Sequence, residues 1–211
     1  MYILQQRVDD MFDKNDFKVF DDNTLSGRLA LIRANLDPKF ELLGEKLLRK
    51  LEAEYQQKFF LKIAKHQRRT RNPPPDTWLA INQDKRGYKK TPHLEFGLWP
   101  DRYFITFDLL ADISDRENYC SILKEHQSKI IAEGWQVSND HTSNLLQPAE
   151  KLPEVIQRYQ KVKSSDLVMG FDLQADDSIV TAGNYDQLIE DKLMQLSKYL
   201  VLLNQTTDLS N

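Results

Sequence analysis

Cysteine is nearly absent from this sequence, which has one, Cys120, among 211 residues. A single cysteine excludes an intrachain disulfide and any paired-cysteine redox or zinc motif. Long apolar runs are also missing, because no stretch approaches the roughly 18 residues of a membrane span. The N-terminus lacks the basic start and apolar core of a secretory leader. Together these absences predict a cytoplasmic protein with no membrane partner.

Short motifs of the common enzyme classes are missing as well. The sequence contains no GxxxxGK[ST] or GxGxxG phosphate loop, no GxSxG nucleophile elbow and no HExxH metal motif. Its four histidines lack the close spacing of metal ligands. We therefore expect neither a metal site nor a cofactor, and no motif names a reaction.

Hydrophobic periodicity predicts helices first and strands second. Leu25, Leu29, Ile32 and Leu36 recur at helical spacing, and we expect Asp37-Pro38 to break this helix because a residue before proline avoids the helical region. A second helix is predicted from Pro38 to about Tyr55. The period then changes to two, which predicts strands at 59–64, 78–82, 93–99 and 103–110.

Helices and strands are mixed in the remainder, with strands predicted near 135–138 and 167–173. This order favours an α+β fold, a two-layer sandwich in which helices pack on one face of a mainly antiparallel sheet of about five or six strands. We expect one domain over residues 1–211, with residues 1–22 as a loosely attached N-terminal lead-in.

Strand alternation predicts which side chains share the sheet face away from the helices. If Leu61, Ile63, Leu94 and Phe96 face the helices, the other face is fixed by parity. It presents polar side chains with small residues between them, a pattern typical of either a ligand groove or an ordinary wetted sheet face. Its predicted members are Lys62, Ala64, His66, Trp78, Ala80, Asn82, His93, Glu95, Gly97, Thr106, Asp108, Gly170 and Asp172.

Positive charge is concentrated between Lys62 and Lys90. This stretch has nine lysines and arginines against two acidic residues, whereas the whole chain has a net charge of −3. The remainder therefore carries −10, and such asymmetry points to an anionic partner or to a solvated surface loop. Pro73, Pro74 and Pro75 stiffen the stretch, which favours a binding role.

Three functions remain open from these residues. The first is a binding module or small enzyme for a phosphate-bearing ligand, a nucleotide or a nucleic acid, held by arginine and lysine and stacked on aromatic rings. The second is an acid–base enzyme acting on an anionic substrate through His66 or His93. The third is a protein-interaction domain that docks an acidic partner. The predicted anion-binding residues are Arg68, Arg69, Arg71, Lys85, Arg86, Lys89 and Lys90, and the predicted stacking or groove residues are Trp78, Tyr88, Asn72 and Glu95.

Three segments resemble the YktB-like family of uncharacterised bacterial proteins. They are SGRLALIRANLDPKFELLG, IAKHQRRTRNPPPDTW and KRGYKKTPHLEFGLW, and the resemblance spans about residues 17–205. It implies a cytosolic, single-domain α+β protein with helices packed on a sheet. It implies no catalytic residue.

Overall fold

The computed structural model describes residues 11–182 and 185–208. Six strands form one antiparallel sheet in the order β1-β2-β3-β4-β6-β5. The strands are β1 Phe60–Ile63, β2 Thr77–Asn82, β3 His93–Trp99, β4 Arg102–Leu109, β5 Gln136–Ser138 and β6 Leu167–Gln174. The helices are α1 Leu25–Leu31, α2 Asp37–Tyr55, α3 Arg116–Ala132, α4 Leu152–Lys161, α5 Ser178–Ala182 and α6 Asp186–Asp208.

The helices cover the sheet face that alternation predicts. Helix α2 packs on β1 and β2, helix α6 packs on β3 and β4, and the two helices contact each other. Every second residue of these strands faces the helices. Among these residues are Leu79, Leu94, Phe96, Ile105 and Phe107, each no more than 1% exposed. The predicted α+β sandwich, with its mainly antiparallel sheet and helices on one face, is therefore confirmed.

The predicted break at Asp37-Pro38 is wrong. A π-helical turn, Ile32–Leu36, joins α1 to α2, and Asp37 keeps helical backbone angles. Proline lacks an N–H and its ring crowds the carbonyl four residues earlier, so a wider turn just before Pro38 accommodates it without ending the helix.

The N-terminal segment packs on the core where the structure describes it. Phe12 is fully buried, and its ring lies 4.9 Å from that of Phe96. Phe17 and Phe20 are buried too, in the short 3-10 turn Asp16–Phe20. Residues 1–10 of the expected lead-in lie outside the described residues.

Among the described residues, no helix combines the length and the apolar character that crossing a membrane requires.

Candidate functional site

The sheet face away from the helices carries an aromatic groove, which we define by Asp76, Trp78, Glu95, Trp99, Arg102, Phe104, Thr106, Asp108, His141 and Asp172. Its free volume is about 40 Å³, well below the usual range for a small-molecule site, so it is a shallow surface and not an enclosed pocket. Residues that pair across neighbouring strands form the rows of side chains in this groove. Trp78 pairs with Gly97, which pairs with Phe104, and the next row runs from Ala80 through Glu95 to Thr106.

Small residues on this face make room for the aromatic side chains. A Cβ on Gly97 would lie 2.4 Å from Cζ of Phe104 and 2.5 Å from the carbonyl oxygen of Thr77. A Cβ on Gly170 would lie 2.4 Å from the carbonyl oxygen of Ile105. Both glycines are therefore needed for close packing at the floor of the aromatic groove.

A buried group of acids and one histidine occupies the floor. His93 and Asp108 are cross-strand partners, and Glu95 lies two residues further along β3. His93 is fully buried, and its Nδ1–H donates to the carbonyl oxygen of Thr91 at 2.8 Å. Its Nε2 is 3.3 Å from Oε1 of Glu95, a charge contact that lacks hydrogen-bond geometry. The Thr106 hydroxyl donates to Asp108 at 2.5 Å.

Burial and crowding disturb the protonation of these groups. Burial, reinforced by Glu95, raises the pKa of Asp108 to about 7, although His93 opposes the shift. Burial and Glu95 also raise the pKa of Asp76 to about 6, although the charges of Arg69 and His141 oppose this shift. Burial by itself would lower the pKa of His93, but the Glu95 carboxyl overrides it and the net shift is upward. Such shifts are common where side chains do chemistry.

The two candidate catalytic histidines do not form one site. His66 contacts the Thr77 hydroxyl at 3.1 Å, and Thr77 pairs with Leu98. Leu98 is five residues from His93 along β3, a strand length of roughly 17 Å. Burial, together with the charges of Arg69 and Arg33, lowers the pKa of His66 to about 4. His66 also has φ of 49°, an uncommon backbone conformation for a residue other than glycine.

The predicted anion-binding residues separate into two groups. Arg68, Arg86, Lys89 and Lys90 lie together, with Lys62 and Lys65, around a second concavity beside the edge strand β1. We call this surface, Lys62, Lys65, Arg68, Arg86, Lys89 and Lys90, the basic groove. The other predicted anion-binding residues, Arg69, Arg71 and Lys85, are exposed and do not line it, and neither does the predicted groove residue Asn72.

Tyr88 joins the two grooves. It lines the basic groove, and its hydroxyl accepts a hydrogen bond of 3.1 Å from Nε1–H of Trp78. Its ring packs edge-on against His93, with 4.9 Å between the ring centroids. The loop that carries Tyr88 is held over the sheet by Lys62, which donates to the carbonyl oxygen of Lys85, and by Asn82, which donates to that of Gly87.

Sequence reasoning missed several residues of the aromatic groove. Trp99, Arg102 and Phe104 share the parity of Gly97 and Asp172, so the same alternation could have found them. His141 gave no such signal, because it lies in the connection between β5 and α4. Arg102 pairs with Asp172 at 2.6 Å and is thereby neutralised within the aromatic groove.

Within the described parts of the chain, the cluster with metal-ligand spacing is Asp140, His141 and Asp166, whose ligand atoms lie within 4.8 Å of one another. Hydrogen bonds already account for this arrangement. His141 Nδ1 lies 2.6 Å from Asp166, which also accepts the backbone N–H groups of His141 and Ala111. These bonds attach the loop after β5 to the end of β4.

Comparison with known proteins identifies the family. The family profile described as "Domain of unknown function (DUF1054)" matches residues 12–200. A "UPF0637 protein" of Lactiplantibacillus plantarum is 39% identical over 165 residues, covering 76% of this chain and 79% of that protein. The "UPF0637 protein ABC2405" of Shouchella clausii is 35% identical over 199 residues, covering 92% of this chain and 93% of that protein. A further relative from Latilactobacillus sakei is 38% identical over 164 residues, 76% of this chain and 82% of the relative.

The names of these relatives assign no activity. The YktB-like protein that the sequence resembles is the Bacillus member of the same family. The family profile and the relatives both match most of the chain, and this establishes its family. The chain belongs to the DUF1054 family, also called UPF0637.

Proposed function

We propose that this protein binds a phosphate-bearing ligand that carries an aromatic base, either a nucleotide or a nucleic acid strand. The observation that carries the proposal is the position of Tyr88, which lines the basic groove and hydrogen-bonds Trp78 of the aromatic groove. A ligand that passes over Tyr88 would place its phosphate in the basic groove and its base in the aromatic groove.

Charge decides which end of the ligand goes where. The aromatic groove presents the carboxyls of Asp76, Glu95 and Asp108, which repel a phosphate. The basic groove has six lysines and arginines and one acid, Asp84, around it. Arginine can hold two phosphate oxygens at once, so Arg68 and Arg86 are the anion clamp in this proposal.

Aromatic rings provide the site for the base. Trp78, Trp99 and Phe104 line the aromatic groove, where the Phe104 ring fills the space over Gly97. Stacking of a base on an aromatic ring contributes about 1 to 3 kcal/mol and tolerates any base. The hydrogen bond to Tyr88 fixes the orientation of the Trp78 ring, which lowers the entropy cost of stacking.

Titration of tryptophan fluorescence with a nucleoside monophosphate, the matching nucleoside and inorganic phosphate tests the proposal. The nucleotide should bind more tightly than either fragment, because only the nucleotide reaches both grooves. Short single-stranded oligonucleotides distinguish the two ligand classes. Their affinity should fall linearly in log salt, with a slope near −0.7 for each phosphate contacted.

Arg68 and Arg71 form a matched pair of variants. Both are exposed arginines of the same loop, but Arg68 lines the basic groove and Arg71 does not. Arg68→Ala should cost on the order of 1.5 to 3 kcal/mol of nucleotide affinity, and Arg71→Ala should cost little. Equal effects of the two variants would contradict the assignment of the basic groove. No binding of nucleotide or oligonucleotide at millimolar concentration would favour the docking of an acidic protein instead.

Acid–base catalysis in the aromatic groove is a second candidate function. The observation that favours it is the buried group of Glu95, His93 and Asp108, in which Glu95 lines the groove. His93 is fully buried and would act through Glu95, as a positioning residue. Chromatography of nucleotides incubated with wild-type protein and with Glu95→Gln tests it. Conversion by the wild type alone supports catalysis, and no conversion by either rejects it for these substrates.

A further inference from the structure

The two edges of the sheet differ in how their backbone groups are paired. At one edge, Gln147 lies beside β5 and exchanges two backbone hydrogen bonds with Val137, at 2.7 and 2.9 Å. At the other edge, β1 pairs with β2, and in the described parts of the chain no strand adjoins its outer side. An edge strand of this kind presents a row of backbone donors and acceptors with which another extended chain can pair.

The register of β1 shows which of its backbone groups point outward. The N–H of Ala64 donates to the carbonyl oxygen of Trp78 at 2.9 Å, so Ala64 and, by alternation, Lys62 direct their backbone groups towards β2. Leu61 and Ile63 direct theirs away from the sheet. Among the described residues, no hydrogen bond reaches the N–H or C=O of either one. The outer edge of β1 therefore offers two donors and two acceptors.

The charges around this edge determine which chain fits it. Leu61 and Ile63 line the same concavity as the six cations of the basic groove, and its free volume is about 1020 Å³. Its acidic lining residue is Asp84. A second copy of this edge would bring like charges together and be repelled, whereas an acidic chain would be attracted.

We propose that an acidic, extended segment of a partner protein adds to the outer edge of β1 as an antiparallel strand. The other strand pairs of this sheet are antiparallel as well. The inference goes beyond the proposed function, because it uses the backbone of β1. Phosphate held by Arg68 and Arg86 would compete with the acids of the segment.

Alternation fixes the sequence pattern of the segment. Residues opposite Leu61 and Ile63 would hydrogen-bond them and direct their side chains to the helix side of the sheet, where Leu61 and Ile63 pack on the core. Those residues should be apolar. The residues between them direct their side chains to the side of Lys62 and the basic groove, and they should be acidic. Backbone pairing then gives affinity, and alternate side chains give specificity.

Isothermal titration calorimetry of the wild type with a short peptide that alternates glutamate and valine tests the proposal. Methylation of the valine nitrogens removes the donors that face Leu61 and Ile63, so it should weaken binding by roughly 5- to 150-fold. Methylation of the glutamate nitrogens is the matched control and should change the affinity little. A peptide that alternates lysine and valine should not bind. Equal effects of the two methylations, or no binding of the glutamate peptide at millimolar concentration, would overturn the strand addition.

The variant Ile63→Pro tests the same pairing from the side of the protein. Its N–H takes no part in the pairing with β2, so the proline should remove one outward donor and weaken peptide binding by roughly 2- to 12-fold. Ile63→Val keeps the N–H and is the control. Hydrogen exchange of the Leu61 and Ile63 amides in the wild type should slow when the peptide binds. Unchanged exchange at both amides would overturn the proposal even if the proline variant does not fold.

Competition with a nucleoside monophosphate separates this inference from the proposed function. The nucleotide should raise the apparent dissociation constant of the glutamate peptide, because both use Arg68 and Arg86. Peptide binding that depends on the valine N–H groups but is unaffected by nucleotide would support the strand addition and count against the proposed function. A dimer of the wild type that Ile63→Pro abolishes would identify a second copy as the occupant and overturn the acidic partner.

Discussion

Replacement of Asp108 with asparagine should stabilise this protein at alkaline pH. Asp108 is 2% exposed, and its pKa is raised from 3.8 to about 7 by burial and then by Glu95. A raised pKa means that the folded protein binds the proton more tightly than the unfolded chain. Ionised Asp108 therefore opposes folding, and its cost grows as the pH rises from about 4 to about 7.

The size of the effect follows from the difference between the two pKa values. Each unit corresponds to about 1.4 kcal/mol, so full ionisation of Asp108 costs on the order of 4 kcal/mol. Asparagine resembles the neutral acid in shape and retains an oxygen that accepts the Thr106 hydroxyl. The variant should exceed the free energy of unfolding of the wild type by about 1 kcal/mol at pH 4.5 and by about 2 to 4 kcal/mol at pH 8.5.

Urea unfolding of both proteins at pH 4.5, 6.5 and 8.5 measures this difference. His93, Glu95 and His141 also act on Asp108, and all three are present in both proteins. The substitution also removes the contribution of Asp108 to the raised pKa values of His93 and His141, so the difference measures the carboxyl together with these two interactions. Asp112→Asn, at an exposed position, is the control for the loss of one negative charge. A variant that is less stable at pH 8.5, or equally stabilised at all three pH values, would refute the reasoning.

Three further substitutions test the packing that supports the site. Gly97→Ala should cost about 1 to 3 kcal/mol in urea unfolding, because its Cβ would lie 2.5 Å from a backbone oxygen, that of Thr77. Arg116→Ala should cost about 3 to 5 kcal/mol in the same assay, since the guanidinium donates to five backbone carbonyls at 2.7 to 3.2 Å; a loss below 1 kcal/mol would show that this network is dispensable. Tyr88→Phe removes the acceptor of the Trp78 N–H and should lower the thermal midpoint by an amount equivalent to about 1 kcal/mol, and an unchanged midpoint would argue against this link between the grooves.

The sheet and its faces could be predicted from the sequence because they follow from a period of two. The alternation of Leu94 and Phe96 with His93 and Glu95 is sufficient to assign both faces of β3, and the register confirms it. The helices follow similarly from the spacing of leucines such as Leu43 and Leu47, which are buried in α2. Local periodicity therefore determines which side chains reach the aromatic groove from the strands.

The loops could not be predicted in this way. The sequence shows one basic cluster, whereas the structure turns Arg68 towards the basic groove and leaves the neighbouring Arg69 and Arg71 outside it. His141 reaches the aromatic groove through its contact with Asp166, 25 residues further along the chain. The direction of a loop side chain depends on such long-range contacts, which carry no periodic signal.

The most direct test of the two-groove account is an NMR titration of the isotope-labelled protein with a nucleoside monophosphate. The three tryptophans provide separate indole N–H signals, two in the aromatic groove, Trp78 and Trp99, and one outside it, Trp135, which is buried and donates to Glu133. We predict that the signals of Trp78 and Trp99 shift together with the backbone amides of residues 86–90, with one dissociation constant, while Trp135 stays in place. Shifts confined to one groove, different dissociation constants for the two grooves, or no shift at millimolar ligand would contradict the account.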